Sequence, residues 1–324
     1  MYCLVTGAAG FIGSHLCRAL IEKGHHVWGI DSFVDFYPRA IKEANMWALK
    51  DTPLFSFLEA DINNCELAPL LEGINWVFHL AAQAGVRKSW GTRFDAYINC
   101  NIKTTQRLLE ACKEKNISKF VYASSSSVYG DAERLPLTEN LHPRPLSPYG
   151  VTKLAGENLC HLYAHNFGIP TVILRYFTVF GPWQRPDMLI HRLLRACLDG
   201  SQVRIFGDGS HKRDFTYVDD IVSGTILSAE KAPPGSVFNL GGGNTVSVNS
   251  LIALIEEITN KKINVIKSSS VAGDVKETWA DTSSARKVLG WSAVTSLPEG
   301  IKREYDWITY SLDAGVLPPI NTLD

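Results

Sequence analysis

Tyr149 and Lys153 stand four residues apart in the run Ser147-Pro148-Tyr149-Gly150-Val151-Thr152-Lys153. On a helix, positions i and i+4 share one face, so the phenol and the ammonium can act together. A neighbouring cation favours phenolate and lowers the pKa of tyrosine. That turns a poor base into one usable near neutral pH. Ser147 suits the N-cap and Pro148 the first turn, so the pair is expected at a helix start, where a substrate can reach it. The same spacing also suits an ordinary solvated helix face. The elements around it must decide between the two.

Those elements begin at the N-terminus. Tyr2-Cys3-Leu4-Val5-Thr6 reads as a short buried strand, and Gly7-Ala8-Ala9-Gly10-Phe11-Ile12-Gly13 follows directly. A helical pattern then runs from Ser14 to about Lys23, and a second apolar strand, Val27–Ile30, ends at Asp31. Strand, glycine turn, helix, strand and acid occur in the order of a dinucleotide-binding unit, with GxxGxxG in place of GxGxxG. Gly7, Gly10 and Gly13 permit a tight turn and close approach to a pyrophosphate, and the helix N-terminus, with Phe11 and Ile12, offers N–H groups to that anion. Asp31 accepts hydrogen bonds from an adenosine ribose and repels a 2′-phosphate, which favours NAD over NADP.

The chain has 324 residues, enough for a large core or one domain with a smaller lobe. It is 45% hydrophobic and 20% charged, with a formal net charge of −1. This balance argues against nucleic acid or an anionic membrane as partner. No apolar run is long enough to span a bilayer, and the first strand starts at Tyr2, so a cytoplasmic enzyme is expected. The seven cysteines (3, 17, 65, 100, 112, 160 and 197) show no CxxC spacing, and the nine histidines form no HExxH. Reduced structural thiols and no metal site are expected.

Strands are expected near Leu54–Leu58, Trp76–Leu80, Phe120–Ser124 and Thr171–Arg175, and helices near Asp95–Glu114 and Pro148–Phe167. This alternation implies a parallel sheet with helices on both faces. The second half is less regular, with turn clusters at Gly207–Ser210 and Lys231–Gly235 and helical patterns near Val248–Ile258, Thr282–Leu289 and Pro298–Ile308. The expected class is α/β: a Rossmann-type doubly wound parallel sheet with a smaller C-terminal α/β substrate lobe. Residues 1–179, with a return segment at 214–240, would hold the dinucleotide, and residues 180–324 the substrate.

Together, Gly7/Gly10/Gly13, Asp31, Asp61-Ile62, His79-Leu80-Ala81-Ala82, Ser124–Gly130, Tyr149/Lys153 and Arg213-Asp214-Phe215 resemble the extended short-chain dehydrogenase/reductases, over nearly the whole chain. The nucleotide-sugar-converting members are most similar. Ala81–Arg87 and the long run Arg175-Tyr176-Phe177-Thr178-Val179-Phe180-Gly181-Pro182-Trp183-Gln184-Arg185-Pro186-Asp187-Met188 resemble UDP-glucuronate and UDP-galacturonate 4-epimerases.

The resemblance implies the following roles. The catalytic hydroxyl lies five residues before Gly130, at Ser125; Ser126 is the other candidate and otherwise faces substrate. Asp61 and Ile62 flank adenine, and Ala81, Ala82 and Asn101 lie along the NAD cleft. Tyr149 takes the proton of the sugar 4-OH, the C4 hydride passes to tightly held NAD+, and Lys153 bonds the nicotinamide ribose. The 4-keto sugar turns, and hydride returns to its other face, with no net redox change. A 4-keto uronate is a β-keto acid prone to lose CO2, so its carboxylate must be held. Arg185 has the bidentate geometry for this and Thr178 a hydroxyl to add; the alternative for Arg185 is a surface ion pair with Asp187. Arg213 is expected at the UDP diphosphate and Asp274 near the uridine ribose, while Val271 stands where galactose epimerases carry a second arginine. A homodimer through Asp95–Glu114 and Pro148–Phe167 is expected by analogy. The rivals are a UDP-glucuronate decarboxylase, a UDP-glucose/UDP-galactose 4-epimerase, a 4,6-dehydratase and a cofactor-sensing binding protein.

Overall fold

The structure, a computed structural model, describes residues 1–131 and 134–317. Its strands are β1 (Tyr2–Thr6), β2 (His26–Asp31), β3 (Phe55–Glu59), β4 (Trp76–His79), β5 (Lys119–Ser125), β6 (Thr171–Tyr176), β7 (Thr178–Phe180), β8 (Gln202–Phe206), β9 (Lys212–Tyr217), β10 (Val237–Leu240), β11 (Thr245–Ser247) and β12 (Asn264–Ser268). Its helices are α1 (Phe11–Glu22), α2 (Arg39–Met46), α3 (Phe94–Tyr97), α4 (Thr104–Cys112), α5 (Pro148–Phe167), α6 (Leu189–Asp199), α7 (Val218–Lys231), α8 (Val248–Thr259), α9 (Ser283–Leu289) and α10 (Leu297–Asp313).

Seven strands form one parallel sheet in the order β10-β6-β5-β4-β1-β2-β3. β4 and β6 are buried along their whole length, and β5 along all but its last residue, as expected for strands covered on both faces. The winding reverses between β1 and β4. In an open α/β sheet such a reversal opens a crevice at the carboxyl ends of the strands. Here two connections meet at that crevice, the glycine turn after β1 and Leu80–Ala84 after β4. Gly7, at φ +72°, is required there: a Cβ on it would stand 2.9 Å from the Ala81 nitrogen.

The helix expected over Asp95–Glu114 is interrupted. Between α3 and α4 lies a π-helical stretch, Ile98–Lys103. The Thr104 and Thr105 hydroxyls donate back to the Asn99 and Asn101 carbonyls at 2.9 and 2.6 Å. Such a bulge turns a side chain that a regular helix would direct elsewhere, here Asn101.

The second half contains two small sheets, β11-β9-β7 and the parallel pair β12-β8. These strands, with α2 and α6, are absent from the sequence expectation. β7 and β11 are only three residues long, and α6 starts after Met188 with no capping side chain. β10 returns the chain to the edge of the large sheet beside β6. One apolar core runs from β1 and α1 through Phe180, Tyr217 and α7 to Leu251, Ile255, Ile301 and Ile308.

Candidate active site

Helix α5 starts as its sequence requires. Ser147 Oγ accepts the Gly150 N–H at 3.1 Å, and Pro148 fills the first turn. Further along, the helix is fixed to the sheet. Gly156 lies so close to β5 that a Cβ on it would stand 2.0 Å from the Tyr122 hydroxyl. Beside it, buried Glu157 receives both Nε and Nη2 of Arg175 at 2.9 and 2.7 Å, and the Ser124 hydroxyl as well. A buried ion pair is tolerable only with such additional hydrogen bonds.

Tyr149 and Lys153 both line the crevice. Ser125 ends β5, caps the short turn Ser126–Val128 and is near enough to the Tyr149 phenol to lower its pKa. The Ser125 hydroxyl also donates to Ser127 Oγ at 3.1 Å and accepts the Ser127 N–H at 3.2 Å. Of the two serine candidates, Ser125 is the one that lowers the Tyr149 pKa. Burial raises the pKa of Tyr149, and the Ser125 hydrogen bond and the Arg185 charge oppose that rise. Lys153 is not among these influences; its Nζ donates to the Ala123 carbonyl at 2.8 Å. Burial lowers the Lys153 pKa to about 8, against the pull of Cys160 and Glu157.

The dinucleotide end is equally defined. No side chain caps α1 and no acid occupies its first turn, so its N–H groups and positive dipole end face the cleft uncompensated. A Cβ on Gly13 would stand 2.1 Å from the Gly7 carbonyl oxygen, so only glycine brings helix and turn this close. The site fits a dinucleotide: Gly7, Gly10, Phe11, Ile12, Gly13, Asp31, Asp61, Ile62, Ala81 and Ala82 all line the cleft. Asp31 accepts the Ala9 and Phe33 N–H groups at 3.2 and 2.8 Å and pairs with buried Lys42 at 3.0 Å.

Asn101 is the exception among the expected cleft residues. It is 1% exposed and lies behind the wall, where its amide brackets the Gln83 backbone (2.7 and 3.1 Å) and donates to Thr152 Oγ1 at 2.9 Å. It therefore ties the loop after β4 to α5, and Cys100 and Thr104 line the cleft in its place. His79, from the His-Leu-Ala-Ala run, is a core residue bonded to Thr6 and Thr105 through its two ring nitrogens, and burial lowers its pKa to about 3.

At the far end, Arg185 lines the same cleft as Tyr149 and at the same time pairs with Asp187, Nε to Oδ1 at 2.9 Å and Nη2 to Oδ2 at 3.1 Å. Arg185 thus lines the cleft without giving up its pair with Asp187. Thr178 is half-buried at the start of β7, opposite Phe215, and Ser126 is half-buried after Ser125. Beyond them Arg87 bonds Asp274 at 2.8 Å and stands over the Phe206 ring at 4.2 Å. Arg213 feels the charges of Asp274 and Arg87, and Arg192 those of Arg87 and Arg204. Arg87, Arg192, Lys42 and Phe206 carry no assigned role in the sequence reading. Their signal is convergence from separate elements, which no local spacing reveals.

A doubly wound sheet with a glycine-turn crevice and a Ser–Tyr–Lys cluster at its lip defines a dinucleotide-dependent enzyme of the short-chain dehydrogenase/reductase type. Residues 3–241 match the NAD dependent epimerase/dehydratase family, and the chain belongs to that family. It is 48% identical over 311 residues to an uncharacterised UDP-glucose epimerase of Bacillus subtilis, covering 95% of this chain and 98% of that one. It is 42% identical over 312 residues to the UDP-glucuronate 4-epimerase of Thermodesulfobacterium geofontis, covering 94% and 95%. Among solved structures it is similar to UDP-glucuronic acid 4-epimerase from Bacillus cereus in complex with UDP-glucuronic acid and NAD, at 49% identity and TM-score 0.93, covering 96% and 99%.

Proposed function

We infer that the protein is an isomerase, a UDP-glucuronate 4-epimerase that interconverts UDP-glucuronate and UDP-galacturonate with resident NAD+. The observation that carries this reading is the placement of Arg185 in the same cleft as Tyr149, close enough for its charge to lower the phenol pKa. A guanidinium there can hold a C6 carboxylate while the phenol reaches the neighbouring 4-OH. The 42%- and 49%-identical relatives support the choice of sugar.

NAD+, when bound in this cleft, would supply a reversible hydride acceptor for the sugar C4. The chain's own residues do the rest. Tyr149 Oη removes the 4-OH proton and later restores it, and Ser125 Oγ hydrogen-bonds the same oxygen. Lys153 bonds the nicotinamide ribose. Gly7, Gly10, Phe11, Ile12 and Gly13 hold the pyrophosphate, Asp31 the adenosine ribose, and Asp61 and Ile62 the adenine, with Ala81 and Ala82 along the cleft wall. Asn101 serves by fixing that wall to α5. Arg185, helped by Thr178 and Ser126, keeps the carboxylate out of line with the C4 carbonyl and so opposes loss of CO2. Arg213, joined by Arg87 and Arg192, holds the diphosphate, and Asp274 the uridine ribose. In this reading, residues 1–179 with 214–240 form the NAD-binding part and the remainder the nucleotide-sugar lobe.

The reading extends to a cytoplasmic homodimer. Ile98, Val151, Leu162 and Phe167 are 38–52% exposed on the α3–α4 and α5 segments, apolar surface that a second copy would cover. Among the described residues, no helix is long and apolar enough to cross a membrane.

The test is NMR of the purified protein with UDP-glucuronate and no added cofactor. UDP-galacturonate with little UDP-pentose is expected. UDP-pentose with CO2 would move the assignment to a decarboxylase. The 48%-identical B. subtilis relative favours UDP-glucose as the second substrate to try.

A further inference from the structure

The turn that carries Arg185 is held rigidly. Gly181, at φ +139°, donates its N–H to buried Glu304 at 2.9 Å. Trp183 sits at φ +63°, a conformation that costs a bulky residue about 1–3 kcal/mol unless its surroundings impose it. Here they do: the Arg18 guanidinium stands 3.8 Å from the Trp183 ring, and the His15 ring 4.6 Å from it. Gln184 is 1% exposed, donates to the Val179 carbonyl at 2.9 Å and accepts the His191 N–H at 3.1 Å. The Arg185 carbonyl accepts the Met188 N–H at 3.1 Å, closing the turn over Asp187. With the backbone fixed on both sides, the remaining freedom of Arg185 lies in its side-chain torsions.

Asp187 removes that freedom. Its carboxylate occupies the Nε/Nη2 edge of the guanidinium, and among the described residues the Nη1 end makes no hydrogen bond. We propose that Asp187 is a positioning residue that aims the free Nη1 end of Arg185 at the sugar carboxylate, and so sets both the preference for a uronate and its protection from decarboxylation. This rests on the epimerase reading above.

A carboxylate beside an anion site would ordinarily repel the anion. Lys88 offsets it: its charge acts on Asp187, and its Nζ stands 4.6 Å from the centre of the Phe36 ring, over which Arg185 also lies, at 5.4 Å. Two cations around one aspartate leave the site a net positive charge for the substrate. Burial works against the Arg185 charge, and Asp187 together with Tyr37 and Tyr149 more than offsets it, so the guanidinium pKa is raised. A guanidinium rotating on an unsupported side chain would still attract the carboxylate. It would not hold the C5–carboxylate bond away from the geometry in which CO2 leaves.

The test uses Asp187→Ala, with the near-isosteric Asp187→Asn to guard against loss of fold and Asp187→Glu as the conservative rescue. Each is assayed as the full-length, NAD-containing protein. For the Ala and Asn variants, KM for UDP-glucuronate should rise about tenfold, the scale of one charged hydrogen bond. Inhibition by UDP alone should stay within about twofold of wild type, because UDP carries no carboxylate and the nucleotide lobe is untouched. The share of UDP-pentose and CO2 in the product should increase, and Asp187→Glu should restore part of the wild-type ratio. Unchanged KM and product ratio, or a lowered KM, would overturn the proposal, the latter by making Asp187 a competitor for Arg185. Equal losses for UDP and UDP-glucuronate would overturn it too, reducing Asp187 to a structural role. A wild-type protein that fails to form UDP-galacturonate would instead remove the epimerase reading, and this inference with it.

Discussion

The Lys153 ammonium donates to the Ala123 carbonyl across 2.8 Å from a side chain only 4% exposed, so one of the site's cations is stored against the end of β5. Burial has lowered its pKa to about 8 from an ordinary value of 10.5. Between those values the unfolded chain binds a proton that the native site does not, so native stability should rise with pH through that window. Below about pH 8 the buried charge is a burden of order 3 kcal/mol, partly offset by its hydrogen bond to Ala123. Lys153→Met should therefore abolish epimerisation yet raise Tm at pH 7, a gain that fades above pH 10. Calorimetry at the two pH values checks this, and a lower Tm at pH 7 would show that the charge is compensated.

Tyr149→Phe removes the phenol proposed to accept the proton and leaves the ring packed edge-on against Tyr97 at 6.3 Å. Turnover should disappear while circular dichroism and bound NAD are retained. Substantial activity in this variant would remove Tyr149 from the reaction.

The rate should climb with pH as the Tyr149 phenol loses its proton. Burial holds that phenol up, and Ser125 and Arg185 pull it down. Ser125→Ala and Arg185→Ala should each move the rising limb of kcat to higher pH, with part of the lost rate regained in alkali. Arg185→Ala should also weaken UDP-glucuronate by about 1.5–3 kcal/mol, the range for a charged hydrogen bond. Limbs that coincide with wild type would separate both groups from the phenol.

Gly13→Ala places a methyl carbon where the Gly7 carbonyl oxygen now stands, 2.1 Å from it, so α1 must retreat from the turn. Loss of co-purifying NAD and a fall in Tm are expected. Gly24→Ala supplies the contrast: its φ of +78° carries backbone strain, but nothing lies within 4 Å of an added Cβ. It should cost stability and leave NAD in place. NAD loss in both variants would show that stability alone governs retention.

What could be read from the chain was local. The cap–proline–Tyr–Lys order fixed α5, which runs over Pro148–Phe167 as expected, and the glycine turn fixed the crevice. Contacts made across long separations could not be read in the same way. Arg87 and Asp274 are 187 positions apart, Asn101 and Thr152 are 51, and neither pairing has a spacing to recognise. The placement of Asn101 behind the cleft wall follows from a π-helical turn held by threonine hydroxyls, where residue types suggested one regular helix. The Arg185–Asp187 pair was visible as a possibility, but whether it excludes the cleft depends on the strained turn at Trp183.

Helix α5 is clamped midway, at Gly156 and Glu157, and its catalytic start extends from that clamp toward the cleft. Seven residues at 1.5 Å each give a lever arm of about 10 Å from clamp to phenol. The tip is tied as well, at Thr152 by Asn101 and at Lys153 by the Ala123 carbonyl, so a shift at the clamp would carry the whole start of the helix, and the Tyr149 phenol, with it. Lesions in the interior near Arg175 would then register as lost turnover before they register as lost folding, and an assay of rate becomes the finer gauge of how well the sheet and this helix fit.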